Sequence, residues 1–192
     1  TTRALHFAGA LSLGGVLGFV VFVAGDISPR LARQLRVTAR FSAALMLLTA
    51  PLWLILVGAS MSADSLATTI IDRVPKTVLL DTQFGHALGL RFALTLSLLP
   101  LIVRLGRRRI GDSVAALMAA VSVAAIAWQG HGGAELGSAA SIHLTADVTH
   151  LIAAALWLVA LRPLAMGLRG EEEVSGQYAL ARRFSRLCVV CV

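Results

Sequence analysis

Hydrophobic positions in this chain are gathered into long continuous runs and do not alternate with polar ones. A helix needs roughly 20 apolar residues to cross a bilayer core of about 30 Å, and five runs are suited to that task. Continuous runs favour helices over barrel strands, because backbone groups in lipid must be hydrogen-bonded within their own segment. The predicted spans are residues 4–24, 37–61, 85–103, 113–130 and 142–166.

A sixth apolar run begins near Phe184, and we expect residues 184–192 to be the start of a further, truncated span. The predicted fold is therefore all-α, a polytopic membrane helical bundle that forms a single transmembrane domain over residues 1–192. Composition agrees, because 57% of residues are hydrophobic and 14% charged, against about 45–50% and 25% in globular domains. Glycines in the first run would let neighbouring helices approach closely; they are Gly9, Gly14, Gly15 and Gly18.

The net charge of +7 comes from bases that lie between the apolar runs, where they act as topology signals. With 6% aromatic residues and one tyrosine, the chain lacks a stacking platform for bases, which argues against a nucleic-acid partner. Short cytoplasmic loops collect Lys and Arg, so the first, third and fifth loops are predicted to face the cytoplasm, and the N-terminus and the other two loops are predicted to face outward. The bases of those three loops are Arg30, Arg33, Arg36 and Arg40, then Arg104, Arg107, Arg108 and Arg109, then Arg169, Arg182, Arg183 and Arg186.

The second outer loop, Ser62 to Phe84, is longer than a tight connection. Its apolar residues recur at near-helical spacing, at Leu66, Ile70, Ile71, Val74 and Val78. This pattern is compatible with a short amphipathic helix on the outer interface. A loop that merely caps the bundle is the alternative.

Histidines provide the candidate chemistry. Under the predicted orientation, all five lie at or near the outer face, which favours a metal or cofactor site. The alternative is that each hydrogen-bonds a neighbouring helix inside the bundle. They are His6, His86, His131, His143 and His150.

The fifth span contains the sharpest motif. His143, Asp147 and His150 are spaced i, i+4 and i+7 and therefore share one helix face, with His150 about 10 Å inward from His143. Asp147 needs a partner or water in hydrocarbon; it can orient a histidine, accept a proton, or simply cap the start of the helix. The predicted metal ligands are His6, His86, His131, His143, Asp147 and His150.

Other residues leave alternatives open. Arg91, about two turns into the third span, can pair with Asp147 or snorkel to the outer interface. Met46 and Met61 are soft ligands or space-filling side chains. Cys188 and Cys191 are an inner-face ligand pair or small hydrophobes. Imidazole with thioether suits a copper ion, Cu(I) or Cu(II), and zinc is possible, whereas calcium and magnesium prefer oxygen ligands.

Five short motifs stand out along the chain: Arg3-Ala4-Leu5-His6-Phe7, Thr82-Gln83-Phe84-Gly85 leading to Arg91, Gly130-His131, His143 to Asp147 to His150 with Ala155-Leu156-Trp157-Leu158, and Arg183-Phe184-Ser185-Arg186-Leu187. In this order and spacing they resemble the copper resistance protein D family (CopD) over nearly the whole chain. One departure is Val159-Ala160 after Trp157, where that family usually has glycine. The resemblance implies a bacterial inner-membrane protein that handles copper from the periplasm, with the N-terminus and the outer loops on the periplasmic side.

The predicted function is a copper-binding membrane permease that moves copper ions from periplasm to cytoplasm in copper homeostasis or resistance, with periplasmic copper-binding proteins as candidate partners. A haem-binding membrane electron-transfer protein is the alternative, because helical bundles with inward histidines also ligate haem. An accessory subunit whose histidines only bond helices is a third. No nucleophile elbow, phosphate loop or zinc-protease motif is present in the sequence, so we do not expect an enzyme.

Overall fold

Helices account for the architecture of the chain. The computed structural model describes residues 2–25, 28–62, 65–129, 138–170 and 174–191, and within these ranges there is no strand. This confirms the predicted all-α membrane bundle. The helices are α1 (Thr2–Phe19, continued by a π-helical turn Val20–Ala24), α2 (Pro29–Ser62), α3 (Leu66–Ile71), α4 (Val74–Asp81), α5 (Gln83–Val103), α6 (Arg109–Ala124, followed by a 3₁₀ turn Ala127–Gln129), α7 (Ser138–Ala154, continued by a π-helical turn Ala155–Val159), α8 (Leu161–Gly170) and α9 (Val174–Cys191).

Within the described ranges, five helical segments are long and apolar enough to cross a membrane. Each contains most or all of one predicted span. The helix α9 covers the start of the predicted sixth run and begins before it, at Val174. The five segments are Thr2–Ala24, Pro29–Ser62, Gln83–Val103, Arg109–Gln129 and Ala140–Arg169.

The first helix is the centre of the bundle. In its apolar window 67% of residues are buried, against 22% in Ala140–Arg169, which lies at the periphery. Close approach depends on Gly15, since an added Cβ would lie 2.7 Å from the carbonyl oxygen of Ala155 and 2.9 Å from Val159. The prediction that glycines bring helices together is therefore confirmed where α1 meets the turn after α7.

Three base-rich segments meet at one end of the bundle, which we call the arginine end. Arg36 of α2 donates through Nη1 to the carbonyl of Leu105, at 3.1 Å, and so ties α2 to the loop between α5 and α6. A Cβ added to Gly25, which has a φ of +61°, would overlap the guanidinium of Arg183 on α9. The sequence prediction that these segments share one side of the membrane agrees with this arrangement.

The segment between α2 and α5 forms two short helices, α3 and α4, where the sequence left an amphipathic helix and a loop as alternatives. Arg73, with a φ of 57°, separates them, and Pro75 follows in the first turn of α4. Val78 is buried, whereas Ile70 and Ile71 are exposed. Apolar side chains on the outer surface of such a segment suit the membrane interface.

Candidate functional site

A buried polar cluster lies at the end of the bundle opposite the arginine end, with His6 at its centre. The ring is 1% exposed, and its Nδ1 lies 2.8 Å from Oγ1 of Thr49. The Thr49 hydroxyl donates its own proton to the carbonyl of Leu45, at 2.6 Å, so it accepts from the imidazole. His6 therefore has a proton on Nδ1, and the ring is assigned as the neutral tautomer because a second proton on the buried Nε2 would have no acceptor among the described residues.

The other ring nitrogen of His6, Nε2, carries the lone pair in that tautomer. It is buried and has no hydrogen-bond partner within the described ranges. Aromatic rings enclose the site: Trp53 lies 5.6 Å from the His6 ring, 5.5 Å from Phe7 and 5.0 Å from Phe84, centroid to centroid. His6 therefore faces the core of the bundle. For this histidine, the structure agrees with the alternative in which the ring hydrogen-bonds a neighbouring helix.

Arg91 belongs to the same cluster, and both sequence interpretations of it are wrong. The side chain is 0% exposed, so it does not snorkel. Its Nη1 donates to Oε1 of Gln129 at 2.7 Å, while the Asp147 carboxylate lies on an exposed face of α7. The 3₁₀ turn after α6 brings Gln129 to Arg91, and the Phe7 ring lies 5.4 Å from the guanidinium carbon.

Gln129 is the residue that sequence reasoning missed. It has no charge and stands just before the glycine-rich segment 130–137, where an amide is unremarkable. One feature of the sequence could have identified it: Gln129 is a polar residue at the outer end of the fourth predicted span, the same end at which Arg91 interrupts the third. The Nε and Nη2 groups of Arg91 have no partner among the residues that the structure describes.

The two methionines differ in position. Met46 is 1% exposed, and its sulfur lies 3.8 Å from Oγ1 of Thr95, which donates more closely to the carbonyl of Arg91, at 2.7 Å. Met46 thus fills space beside the polar cluster. Met61 is 63% exposed at the end of α2.

The α7 motif has a different environment. His143, Asp147 and His150 share one helix face, as predicted, and all three are exposed. A shallow, open cavity of about 660 Å³ runs along this part of α7, and both His150 and Cys191 line it. Cys191 is a free cysteine of α9. The structure therefore places a thiol from one helix and an imidazole from another along the same opening.

Of the two remaining histidines, one lies beside α4 and the other lies outside the described residues. The Nε2 of His86 lies 2.6 Å from the carbonyl of Leu80; because a carbonyl only accepts, the ring donates this bond and is oriented toward α4. His131 lies outside the described residues.

Metal-ligand side chains do not converge within the described ranges. No group of three or more His, Cys, Asp or Glu in those ranges is arranged to hold a metal ion. His6 faces the core, whereas His143 and His150 face outward. The structure thus separates a buried cluster around His6 and Arg91 from the α7 stripe, the exposed row formed by His143, Asp147 and His150.

Comparison with known protein families shows to which family the chain belongs. Residues 1–142 match the copper resistance protein D-like N-terminal domain, about three quarters of the sequence. The chain belongs to the copper resistance protein D-like family. It is therefore a multi-pass membrane protein of copper resistance. No curated protein and no solved structure matches it.

The family match ends just before the α7 motif. His6, His86 and His131 lie inside the matched residues 1–142, and His143 is the first residue beyond them. Any role for the stripe in this copper resistance protein must therefore rest on its chemistry and position.

Proposed function

We propose that this protein binds copper ions at the periplasmic side of the bacterial inner membrane and moves them to the cytoplasm. Family membership supports copper as the cargo. The proposed orientation rests on the bases: short cytoplasmic loops are rich in Lys and Arg, and the arginine end collects Arg36, the loop 104–109 and Arg183. The opposite end of the bundle, where His6 lies, then faces the periplasm.

The observation that carries this proposal is the cavity lined by His150 and Cys191. Imidazole and thiolate together form a ligand set that suits Cu(I), since soft sulfur ligands select it and imidazole binds copper in either oxidation state. The lining hydroxyls of Thr145 and Thr149 donate to carbonyls of their own helix, at 2.7 and 2.8 Å. In this proposal His150 and Cys191 are the copper ligands of the cavity.

The remainder of the stripe leads to that place. His143 lies seven residues before His150 on the same face, about 10 Å further out. Between them, the Asp147 carboxylate attracts a cation and can orient either imidazole through its second nitrogen. Copper would thus pass from His143 past Asp147 to His150.

His6 has a smaller part in the proposal. Its Nε2 lone pair is free of a partner within the described ranges, but the buried guanidinium of Arg91 belongs to the same cluster, beside the Phe7 ring, and opposes a second cation there. His86 and His131 stay predicted ligands for the initial capture of copper, from the periplasm or from periplasmic copper-binding proteins. We propose a transport role with no catalytic step; no observation favours the haem alternative.

A binding measurement tests the proposal. We expect purified protein to bind Cu(I) in competition with a chromophoric chelator, and His150→Ala and Cys191→Ser each to weaken that binding at least tenfold. Cys188→Ser is the matched control, because Cys188 is a cysteine of the same helix that does not line the cavity. Wild-type affinity in both His150→Ala and Cys191→Ser would show that the cavity is not the copper site.

A further inference from the structure

A second cavity, of about 580 Å³, lies at the arginine end and is strongly basic. Four arginines line it: Arg107, Arg108, Arg109 and Arg183. The acid among the described lining residues is Asp112, and one oxygen of its carboxylate accepts a 3.0 Å hydrogen bond from the amide of Gly106. The lining therefore has an excess of positive charge that copper transport does not use and that would repel a copper ion.

The local fold holds these arginines in place. Gly106, with a φ of 79°, turns the chain between α5 and α6, and its bond to Asp112 closes that turn against the first turn of α6. Arg36 fixes the loop from the other side through the carbonyl of Leu105. Arg183 extends from α9, and Gly25, at the end of the first helix, leaves room for its guanidinium. The basic cavity is thus built from four parts of the chain.

An apolar groove of about 420 Å³ continues from this cavity along the bundle. It runs between α1, α6 and α7, and small residues such as Gly18, Ala116 and Ala120 line it. The basic cavity and the groove share the lining residues Val21, Phe22 and Ser113. One continuous site therefore has a cationic end at the membrane surface and an apolar extension into the bilayer.

We propose that this site binds one anionic phospholipid, with its phosphate among the arginines and an acyl chain in the groove. Guanidinium groups pair with phosphate oxygens through short charge-assisted hydrogen bonds, and basic pockets between transmembrane helices at the cytoplasmic side suit anionic head groups. The apolar extension selects a lipid over free phosphate, because only a lipid would fill both parts of the site.

Lipid binding to the purified, delipidated protein tests this proposal by native mass spectrometry. We expect phosphatidylglycerol to bind in preference to phosphatidylcholine, and 10 mM inorganic phosphate not to displace it. Arg183→Gln should weaken phosphatidylglycerol binding about fivefold, the factor expected for one basic residue near an anionic surface. Arg182→Gln is the matched control, because Arg182 precedes it on α9 but does not line the cavity.

The groove is tested separately. Ala116→Leu would fill it and should reduce binding of phosphatidylglycerol, while Ala93→Leu, on an exposed face of α5, should not. Equal binding of the two lipids, equal effects of Arg183→Gln and Arg182→Gln, or displacement by inorganic phosphate would each overturn the proposal. Cu(I) affinity is expected to be unchanged in Arg183→Gln, so this result is independent of the copper proposal.

Discussion

Arg91 of α5 donates a 2.7 Å hydrogen bond to the side-chain amide oxygen of Gln129, 38 residues further along the chain. Arg91 is fully buried, and a buried cation is costly unless hydrogen-bonded and paired. Here the partners are an amide and the Phe7 ring, 5.4 Å from the guanidinium carbon. The pair joins α5 to the turn after α6 beside His6.

Replacing Gln129 by leucine is therefore expected to destabilise the bundle by about 1–3 kcal/mol, the cost of leaving a buried donor unsatisfied. Thermal unfolding in detergent would show a lower midpoint. Gln83→Leu, at the exposed start of α5, is the control and should unfold like wild type. An unchanged midpoint for Gln129→Leu would mean that Arg91 does not depend on this bond.

The hydrogen bond between His6 and Thr49 predicts a single tautomer of the His6 ring. With Nδ1 donating to Thr49 Oγ1 at 2.8 Å, ¹⁵N NMR of labelled histidine should show a protonated Nδ1 and an unprotonated Nε2. Thr49→Val removes the acceptor and should abolish this preference, whereas Thr49→Ser should keep it. A proton on Nε2 in the wild-type protein would be incompatible with the network.

Close packing at Gly15 predicts a large effect of one methyl group. In Gly15→Ala the new Cβ would meet the Ala155 carbonyl oxygen at 2.7 Å, and overpacking of this kind costs about 1–3 kcal/mol. Gly111→Ala is the control, since the nearest atom would be 4.0 Å away, and alanine should stabilise α6 by about 0.5–1 kcal/mol. Unfolding midpoints of the two variants should therefore shift in opposite directions.

Membrane orientation is tested by single cysteines in a background with Cys188 and Cys191 changed to serine. We expect cysteine at positions 72 and 135 to react with an impermeant maleimide added to intact cells, and cysteine at position 108 to react only after lysis. The reason is the collection of bases at the arginine end. Labelling of position 108 from outside would reverse the orientation, and with it the proposed direction of copper movement.

Hydropathy alone predicted the five spans and the all-α fold, because the bilayer imposes length and internal hydrogen bonding on each segment. Hydropathy could not decide between an amphipathic helix and a loop for the segment between α2 and α5, because its composition is compatible with both. The two helices of this segment, α3 and α4, are separated at Arg73, whose φ of 57° is a backbone conformation that hydropathy does not predict. Spacing within α7 placed His143 and His150 on one face, since helical period is a local property.

The candidate site was harder to predict, because its contacts join distant helices. Spacing cannot show that Gln129 reaches Arg91 or that Cys191 lines a cavity with His150. Position along a span also failed for Arg91, since its depth was compatible with snorkelling and only tertiary packing buries it. Charge, by contrast, predicted that the base-rich segments share one end of the bundle, where they do meet. The side of the membrane that this end faces stays a prediction.

Copper uptake by intact cells that produce the protein tests the central proposal most directly. Transport along the α7 stripe predicts that cells with the wild-type protein accumulate radioactive copper faster than cells without it, and that His150→Ala removes most of this difference at equal protein level. Leu48→Ala changes an exposed apolar side chain of α2 outside the α7 stripe and the buried His6 and Arg91 cluster, so this control should retain uptake. Full uptake by His150→Ala, or no difference between wild-type cells and cells without the protein, would contradict the proposal.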